Sequence, residues 1–305
     1  MALTFTRLRW LNAAAGLLQL LTGLAILGIS EKGGKASLPW YTFFIGSWSR
    51  NTPEKAAEFY SPVPKQVANF PVGIWSGSFL ILSAIDHLLV VLPRVNAHYN
   101  CALCRNRNPY RWAEYAVSAS IMQVMIAQLC GVTDIHLLFT IAALMASCML
   151  FGWQMEVLNG DRLPAYQYNQ DAPKAAPALK AVDLPASQFL ANGGSSFVGE
   201  PPAGEQRIDW GPFWMGCWPF LAAILVTACY FFQAVSKGDP PGFVWSLFFI
   251  LTALYLLFAV NQWLQFKQVR YWRGFARAEL WYIILSLTSK QLLAWITYGG
   301  TKRFE

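Results

Sequence analysis

The chain has 305 residues, of which 55% are hydrophobic and only 13% are Asp, Glu, Lys or Arg. Soluble domains carry about 25% charged residues, so the composition excludes an ordinary soluble protein and indicates a membrane protein with several spans. The formal net charge of +7 suits contact with anionic lipid headgroups better than nucleic-acid binding.

Seven stretches are long and apolar enough to cross a bilayer, which takes roughly 20 mainly apolar residues. They are residues 8–29, 71–92, 110–130, 135–158, 212–235, 242–264 and 280–299. The predicted fold class is therefore an all-α membrane protein, and residues 1–305 form one domain, a bundle of seven transmembrane helices.

Two long connections stand out between these stretches. Residues 31–69 form an outer loop, and its aromatic segment 38–48 predicts a short β-hairpin that is also a candidate partner surface. Residues 159–210 are rich in Ala, Pro, Gly, Gln and Asp, which predicts a long, flexible cytoplasmic loop.

Lys and Arg in the short connections predict the orientation. One side of the membrane has ten and the other has three, so we expect a cytoplasmic amino terminus and an extracellular carboxyl terminus. The ten are Arg7, Arg9, Arg94, Arg105, Arg107, Arg111, Lys267, Arg270, Arg273 and Arg277, and the three are Lys237, Lys302 and Arg303.

Lys290 lies near the middle of the last stretch, where a charged lysine costs about 2.5–3.5 kcal/mol or more. One interpretation is that it pairs with a buried carboxylate. The other is that it is used chemically, since a desolvated amine condenses with an aldehyde to form a Schiff base. Ser286 lies four residues earlier on the same helix face, and Trp295 follows five residues later.

Polar residues also occur in the first three stretches. Ser83 and His87 share a face of the second, next to Asp86. In the third, Glu114 is the best-placed partner for Lys290, and Ser118 lies one turn deeper. The alternative is an interfacial pair between Glu114 and Arg111, which would extend to the cytoplasmic surface.

Other polar groups can be explained by helix packing or by contact with water. Asn12 and Gln19 share a face of the first stretch and are as consistent with helix packing as with function. Glu156 is near a helix end, where water would satisfy it. Cys101 and Cys104 form a lone CxxC pair without a second ligand pair for zinc, so no metal site is predicted.

Seven helices with a mid-membrane lysine in the last one resemble the retinal-binding rhodopsins. Three segments narrow the resemblance to the heliorhodopsins, whose membrane orientation is inverted: SAIDH at 83–87, RWAEYAVSAS at 111–120 and SLTSK at 286–290. NAAAGLLQLLTG at 12–23 and FGWQMEVLN at 151–159 also fit. The resemblance covers all seven stretches and not the 159–210 loop.

The resemblance implies a role for each matching residue. Lys290 would carry all-trans retinal as a protonated Schiff base, with Glu114 as counterion and Ser83, Ser118 and Ser286 nearby. His87 would belong to a polar cavity on the cytoplasmic side. Gln19 replaces a histidine common in the family, which removes one proton-accepting group. The candidate cofactor-binding residues are Lys290, Glu114, Ser83, His87, Tyr115, Ser118, Ser286, Trp295 and Gln19.

The expected function is light sensing by a photoreceptor and not an enzymatic activity. The resemblance also implies a homodimer whose 38–48 loop reaches the partner, and we expect an unknown cytoplasmic signalling partner. The alternatives are a light-activated proton or ion transporter, and a non-retinal transporter or scaffold in which Lys290 only pairs with Glu114.

Overall fold

A computed structural model describes residues 4–33, 37–45, 62–163 and 207–301. Eight α-helices and two β-strands make up most of this part of the chain. They are α1 Phe5–Gly33, β1 Ser37–Ile45, β2 Pro62–Pro71, α2 Val72–Leu89, α3 Pro93–Cys104, α4 Pro109–Leu129, α5 Ile135–Asn159, α6 Gly211–Lys237, α7 Gly242–Phe266 and α8 Phe275–Thr301.

Each of the seven apolar stretches lies in one long helix, and five of these helices are long and apolar enough to cross a membrane. The five are α1, α2, α5, α6 and α7. The other two, α4 and α8, are less apolar because they carry the buried ionisable side chains described below.

Helix α3 and the first turn of α8 were not predicted from hydropathy. The α3 sequence is only moderately apolar, but Pro93 occupies its first turn, where the missing N–H costs nothing. Tyr99 and Leu103 bury one face of this short helix. Helix α8 begins at Phe275 and not near residue 280, which brings Glu279 into the helix.

Most consecutive long helices pack side by side, and α8 also packs against α1 and α2. Helices α6 and α7 meet through large aromatic side chains, with the rings of Phe231 and Phe248 4.6 Å apart. Glycines allow close approach where α1 meets α2: a Cβ on Gly77 would lie 2.5 Å from the Leu27 side chain, and one on Gly23 would lie 2.9 Å from Ile81. Small residues at such contacts are typical of helix packing in membranes.

The strands β1 and β2 form a two-stranded antiparallel sheet with an irregular register between Trp40 and Tyr41. Strand β1 is less exposed than an isolated aromatic strand would be, because Trp40 packs against Phe70 and Trp75. Phe43 and Phe44 remain about half exposed. The predicted segment 38–48 extends past the end of this strand into residues outside the described part.

One end of the bundle carries α3 together with the start of α4 and α8 and the end of α2 and α5; we call it the α3 end. Both described ends of the 159–210 segment are structured there. Asn159 is buried, accepts a hydrogen bond from Asp209 N at 2.7 Å and donates one to Asp209 O at 2.9 Å. The rest of the predicted flexible loop lies outside the described residues.

Candidate functional site

The side chain of Lys290 is buried in the middle of α8 and contacts three polar groups. Its Nζ donates to both carboxylate oxygens of Glu114, at 2.8 and 2.9 Å. Ser83 Oγ of α2 lies 2.8 Å from the amine, and Ser286 Oγ, one turn earlier on α8, lies 2.9 Å away. Three helices therefore hold this amine in place.

Glu114 lies one turn inside α4, whose start is fixed by Asn108. The Asn108 side chain caps the helix by accepting from Arg111 N at 3.2 Å. Glu114 is also buried, so the ion pair with Lys290 is shielded from solvent. Removing one partner of such a pair leaves an uncompensated buried charge, at a cost of about 3–5 kcal/mol.

On one side of the amine, α4, α5, α6, α7 and α8 enclose an empty volume of about 810 Å³ that includes open space at its mouth. The lining is mainly apolar and aromatic and includes Trp112, Tyr115, Ser118, Met122, Met149, Gly152, Gly216, Phe220, Tyr255, Phe258, Ser286 and Lys290. Lys290 supplies the one amine in this lining.

Tyr115 forms part of the wall next to the amine. Its ring centroid lies 5.0 Å from Lys290 Nζ, a cation–π distance. The hydroxyl donates to the backbone oxygen of Tyr282 at 3.1 Å, and Phe258 packs edge-on against the ring. These contacts fix the ring where it stabilises positive charge on the Lys290 nitrogen.

A glycine shapes the opposite wall. A Cβ on Gly152 would lie 2.3 Å from the Trp112 ring, so only glycine lets this indole pack directly against α5. Ser118 Oγ is buried in the lining without a hydrogen-bond partner among the described residues. It is available to a polar atom of a bound group.

A second, polar cavity lies on the α3 side of the Lys290–Glu114 pair. Its lining includes Asn12, Asp86, His87, Tyr99, Asn108, Arg111, Glu114 and Glu279. His87 Nδ1 lies 2.7 Å from Asn12 Oδ1, and Asn12 Nδ2 donates to Leu8 O. Because Asn12 Oδ1 only accepts, Nδ1 of His87 carries the hydrogen, and Nε2 of the neutral ring is a proton acceptor.

Arg111 behaves differently from both predictions made for it. It is buried and does not extend to the surface, and it binds Glu156 and Glu279 instead of Glu114. Its guanidinium also stacks on the Tyr282 ring at 3.8 Å. Glu156 is likewise fully buried, so water does not satisfy it as predicted.

Asn108 completes this buried network. Its backbone N–H donates to Glu156 Oε2 at 2.7 Å, and its Nδ2 donates to Glu279 Oε1, also at 2.7 Å. Tyr99 O–H of α3 donates to Glu279 Oε1 at 3.1 Å. One arginine, two carboxylates, one asparagine and one tyrosine thus join α3, α4, α5 and α8.

Glu279 was not among the predicted site residues, although its spacing from Lys290 is a signal. Glu279 precedes Lys290 by eleven residues on α8, about three helical turns, and therefore lies on the same face as Lys290. The predicted apolar stretch 280–299 begins one residue after Glu279, so the prediction left this carboxylate in a loop.

Two candidate residues do not reach the site. Trp295 is 47% exposed, lines neither cavity and donates to Gln291 Oε1, because five residues along a helix turn it well away from the Lys290 face. The structure therefore places Trp295 away from both cavities. Gln19 is buried, but it also lines neither cavity.

The CxxC pair lies on α3, at some distance in sequence from the site. Burial, with a smaller contribution from Cys101, raises the pKa of the Cys104 thiol to about 12. Burial also raises the pKa of Cys101. Both thiols are therefore protonated at neutral pH and are poor nucleophiles and metal ligands.

Fold and site together define a helical membrane protein in which a buried lysine lines an apolar cavity. The chain belongs to the heliorhodopsin family, whose family model matches residues 8–171 and 199–302. The match leaves out residues 172–198 within the long predicted loop. A search of curated proteins found no similar sequence. The chain is thus an integral membrane protein and a retinal-binding photoreceptor of the rhodopsin type.

The residues present fit a retinal chromophore. Retinal is an apolar polyene aldehyde, so it needs an apolar slot with an amine at one end. Lys290 supplies the amine, the aromatic and apolar side chains supply the slot, and Glu114 supplies a negative charge beside the nitrogen. The unpartnered Ser118 hydroxyl lies in the same lining.

Proposed function

We propose that Lys290 binds all-trans retinal as a protonated Schiff base, that Glu114 is its counterion, and that the protein senses light. One observation carries this proposal: the Lys290 amine lies between the apolar cavity and both oxygens of Glu114. An amine that served only as a structural ion-pair partner would not need an empty apolar cavity at its tip.

The side chains around the nitrogen then have distinct tasks. The bound retinal supplies light absorption and isomerisation. A linked nitrogen keeps a single hydrogen, and the Glu114 carboxylate is the strongest acceptor within reach. Ser83 and Ser286 remain as weaker partners. Tyr115 stabilises positive charge through its ring face.

His87 is the group that we propose to receive a proton on the α3 side. Its Nε2 carries the lone pair, and its ring orientation is fixed by Asn12. His87 is the one histidine in the described lining of this polar cavity. A proton that leaves the Lys290 nitrogen therefore has an acceptor on that side.

The buried network of Arg111 is the proposed route from the site to the α3 end. A change of charge at the Lys290 nitrogen acts on Arg111, Glu156 and Glu279 through a medium of low dielectric constant. Asn108 links these groups to the α3–α4 connection, whose Asn106 donates to Gly160 O at 3.0 Å. The signal would thus reach the start of the long 159–210 segment and a cytoplasmic partner there.

Sensing fits the placement of titratable groups better than pumping does. Asp86, His87, Glu279 and Glu156 all lie on the α3 side of Lys290. A pump needs an acceptor and a donor on opposite sides of the nitrogen. Towards the opposite end, the ionisable residues Asp134 and His136 lie at the start of α5, where Asp134 caps the helix and His136 is exposed, and neither lines the apolar or the polar cavity. We therefore place light-driven transport second and propose no enzymatic activity.

The membrane setting completes the proposal. The α3 end is the cytoplasmic end, in line with the excess of Lys and Arg there, and its basic residues contact anionic lipid. The sheet lies outside and contributes to a homodimer through the half-exposed Phe43 and Phe44. The carboxyl terminus is then extracellular.

Expression with retinal tests the central assignment. Lys290→Ala should be colourless, whereas Lys237→Ala, which removes an exposed lysine at the end of α6, should keep the visible band. A normal band in Lys290→Ala would refute the proposal.

A further inference from the structure

Asp86 belongs to the polar cavity beside the Lys290–Glu114 pair, and the proposed function gives it no role. Helices α2, α3, α4 and α8 each place titratable groups around this cavity. Helix α1 contributes only Asn12, which does not titrate. The titratable groups are His87 of α2, Tyr99 of α3, Arg111, Glu114 and Tyr115 of α4, and Glu279 of α8, with Lys290 bound to Glu114. Asp86 is therefore one carboxyl in a crowded charged site.

The fixed charges of this site do not balance. Arg111 and Lys290 provide two positive charges for four carboxyl groups, counting Glu156, which binds Arg111 from α5. Ionising all four would leave two excess negative charges away from bulk water, which is costly. A proton on at least one carboxyl of the site would lower this cost.

Hydrogen bonds indicate which carboxyl this is, because donors to a carboxylate favour its charged form. Glu114 accepts from Lys290, Glu156 from Arg111 and Asn108, and Glu279 from Arg111, Asn108 and Tyr99. The Asp86 carboxyl makes no hydrogen bond or ion pair with any residue that the structure describes, although the backbone oxygen of Asp86 accepts from Val90 N. Of the four carboxyl groups, Asp86 therefore gives up the fewest hydrogen bonds and ion pairs when it is protonated.

The cavity also has a neighbour that leads to the surface of the α3 end. Tyr110 of α4 packs against Tyr99, a residue of the cavity lining, with their ring centroids 6.5 Å apart. The Tyr110 hydroxyl lies 2.8 Å from Nδ1 of His98, an exposed residue of α3, and the two rings meet edge to face. Tyr110 thus connects the cavity to an imidazole in contact with solvent.

We propose that Asp86 is the proton-exchange group of this cavity and that Tyr110 and His98 form its outlet to solution on the α3 side. His98 takes a proton from water and passes it from Nδ1 to the Tyr110 oxygen. The hydroxyl gives its own proton inward, through water, to a carboxylate oxygen of Asp86. The charge of Asp86, beside Glu114, then changes with the pH of the solution on the α3 side. The absorption band of bound retinal shifts with that charge, an effect that rests on the proposed retinal linkage.

Infrared titration of the retinal-free full-length protein tests the first part without any chromophore. The wild type should lose the stretching band of a protonated carboxyl as the pH rises, and Asp86→Asn should lack this component at every pH. Asp239→Asn, which changes an exposed aspartate in the α6–α7 connection, should match the wild type. A component that survives in Asp86→Asn and disappears in Glu156→Gln or Glu279→Gln would overturn the proposal.

Two further measurements use the retinal-loaded protein. The visible band should move in one titration step that Asp86→Asn abolishes; a step that persists there and is lost in His87→Gln would contradict the assignment. If Asp86→Asn does not fold, Asp86→Glu should keep the step at a changed pH, and an unchanged step would count against Asp86. If the protein is colourless, the proposed function fails, and the infrared result still decides on Asp86.

The proposed outlet through Tyr110 and His98 also predicts how fast Asp86 exchanges its proton with the solution. After a pH jump, Tyr110→Phe and His98→Gln should slow the approach to the new infrared equilibrium by about tenfold or more, since each removes a proton-carrying group. Tyr271→Phe, at an exposed tyrosine of the α7–α8 connection, should leave the rate unchanged. Wild-type rates in both outlet variants would overturn the outlet.

Discussion

Arg111 and Glu114 lie one turn apart on α4, and their side chains bind different charged partners. Glu114 holds Lys290 at 2.8 Å, whereas Arg111 binds Glu156 and Glu279. One helical turn thus separates the ion pair at the apolar cavity from the buried network at the α3 end. This separation allows the two pairs to be tested independently.

Replacing Glu114 tests the counterion. Glu114→Gln keeps the shape but removes the charge, so the protonated chromophore should lose its proton at lower pH than in the wild type. While it stays protonated, its band should move to longer wavelength, because the carboxylate no longer stabilises the ground state. Absorption spectra across a pH series measure both effects. If neither changes, the counterion is another group, with Asp86 and Glu156 next.

Replacing Arg111 tests the buried network. Arg111→Met should lower the free energy of unfolding by about 3–5 kcal/mol, because two buried carboxylates lose their partner. Asp161→Asn breaks the exposed pair with Arg107 and should cost about 1 kcal/mol or less. Thermal unfolding in detergent compares the two variants.

A compensated variant serves as the control for Arg111. Adding Glu156→Gln and Glu279→Gln to Arg111→Met removes the unpaired charges and should recover part of the lost stability. Equal stability of Arg111→Met and the wild type would show that the network does not hold the helices together.

The hydrophobic pattern located all seven long helices, because bilayer-length apolar runs depend on local composition. Helical spacing also indicated Ser286 on the Lys290 face and Glu114 as the partner of Lys290, whereas the position of Ser83 beside the amine was implied by the family resemblance. Spacing within one helix is enough to show which residues share a face, without knowing which helices pack against it.

The ion-pair partners of Arg111 could not be predicted from spacing within one helix. A pair three residues apart looks favourable in one helix, but the choice among Glu114, Glu156 and Glu279 depends on how α4, α5 and α8 meet. The start of α8 was also misplaced, since the charged residues before position 280 lowered its hydropathy. Trp295 was assigned to the site by sequence distance, although its angle on the helix turns it away from Lys290.

The orientation of the chain has its own test. Epitope tags at the two termini should label differently in intact cells: the carboxyl-terminal tag should be accessible, and the amino-terminal tag should need permeabilisation. This follows from the excess of ten to three in basic residues on the side of the amino terminus. The reverse labelling pattern would invert the assignment of the α3 end.

Light-driven transport is tested by photocurrents under voltage clamp, together with pH changes in illuminated cell suspensions. We expect no sustained current, because a proton released to His87 on the α3 side returns by the same route. Lys290→Ala gives the chromophore-free baseline. A sustained current that Glu114→Gln abolishes would favour the transporter alternative.

The covalent attachment of retinal at Lys290 is the central claim, and reduction followed by peptide mass spectrometry tests it most directly. The retinal-loaded protein is treated with borohydride, which fixes a Schiff base as a stable amine, and is then digested. The account predicts a retinyl adduct on the peptide that contains Lys290 and none on the peptide that contains Lys237. An adduct on another lysine, or a coloured protein without any adduct at Lys290, would contradict it.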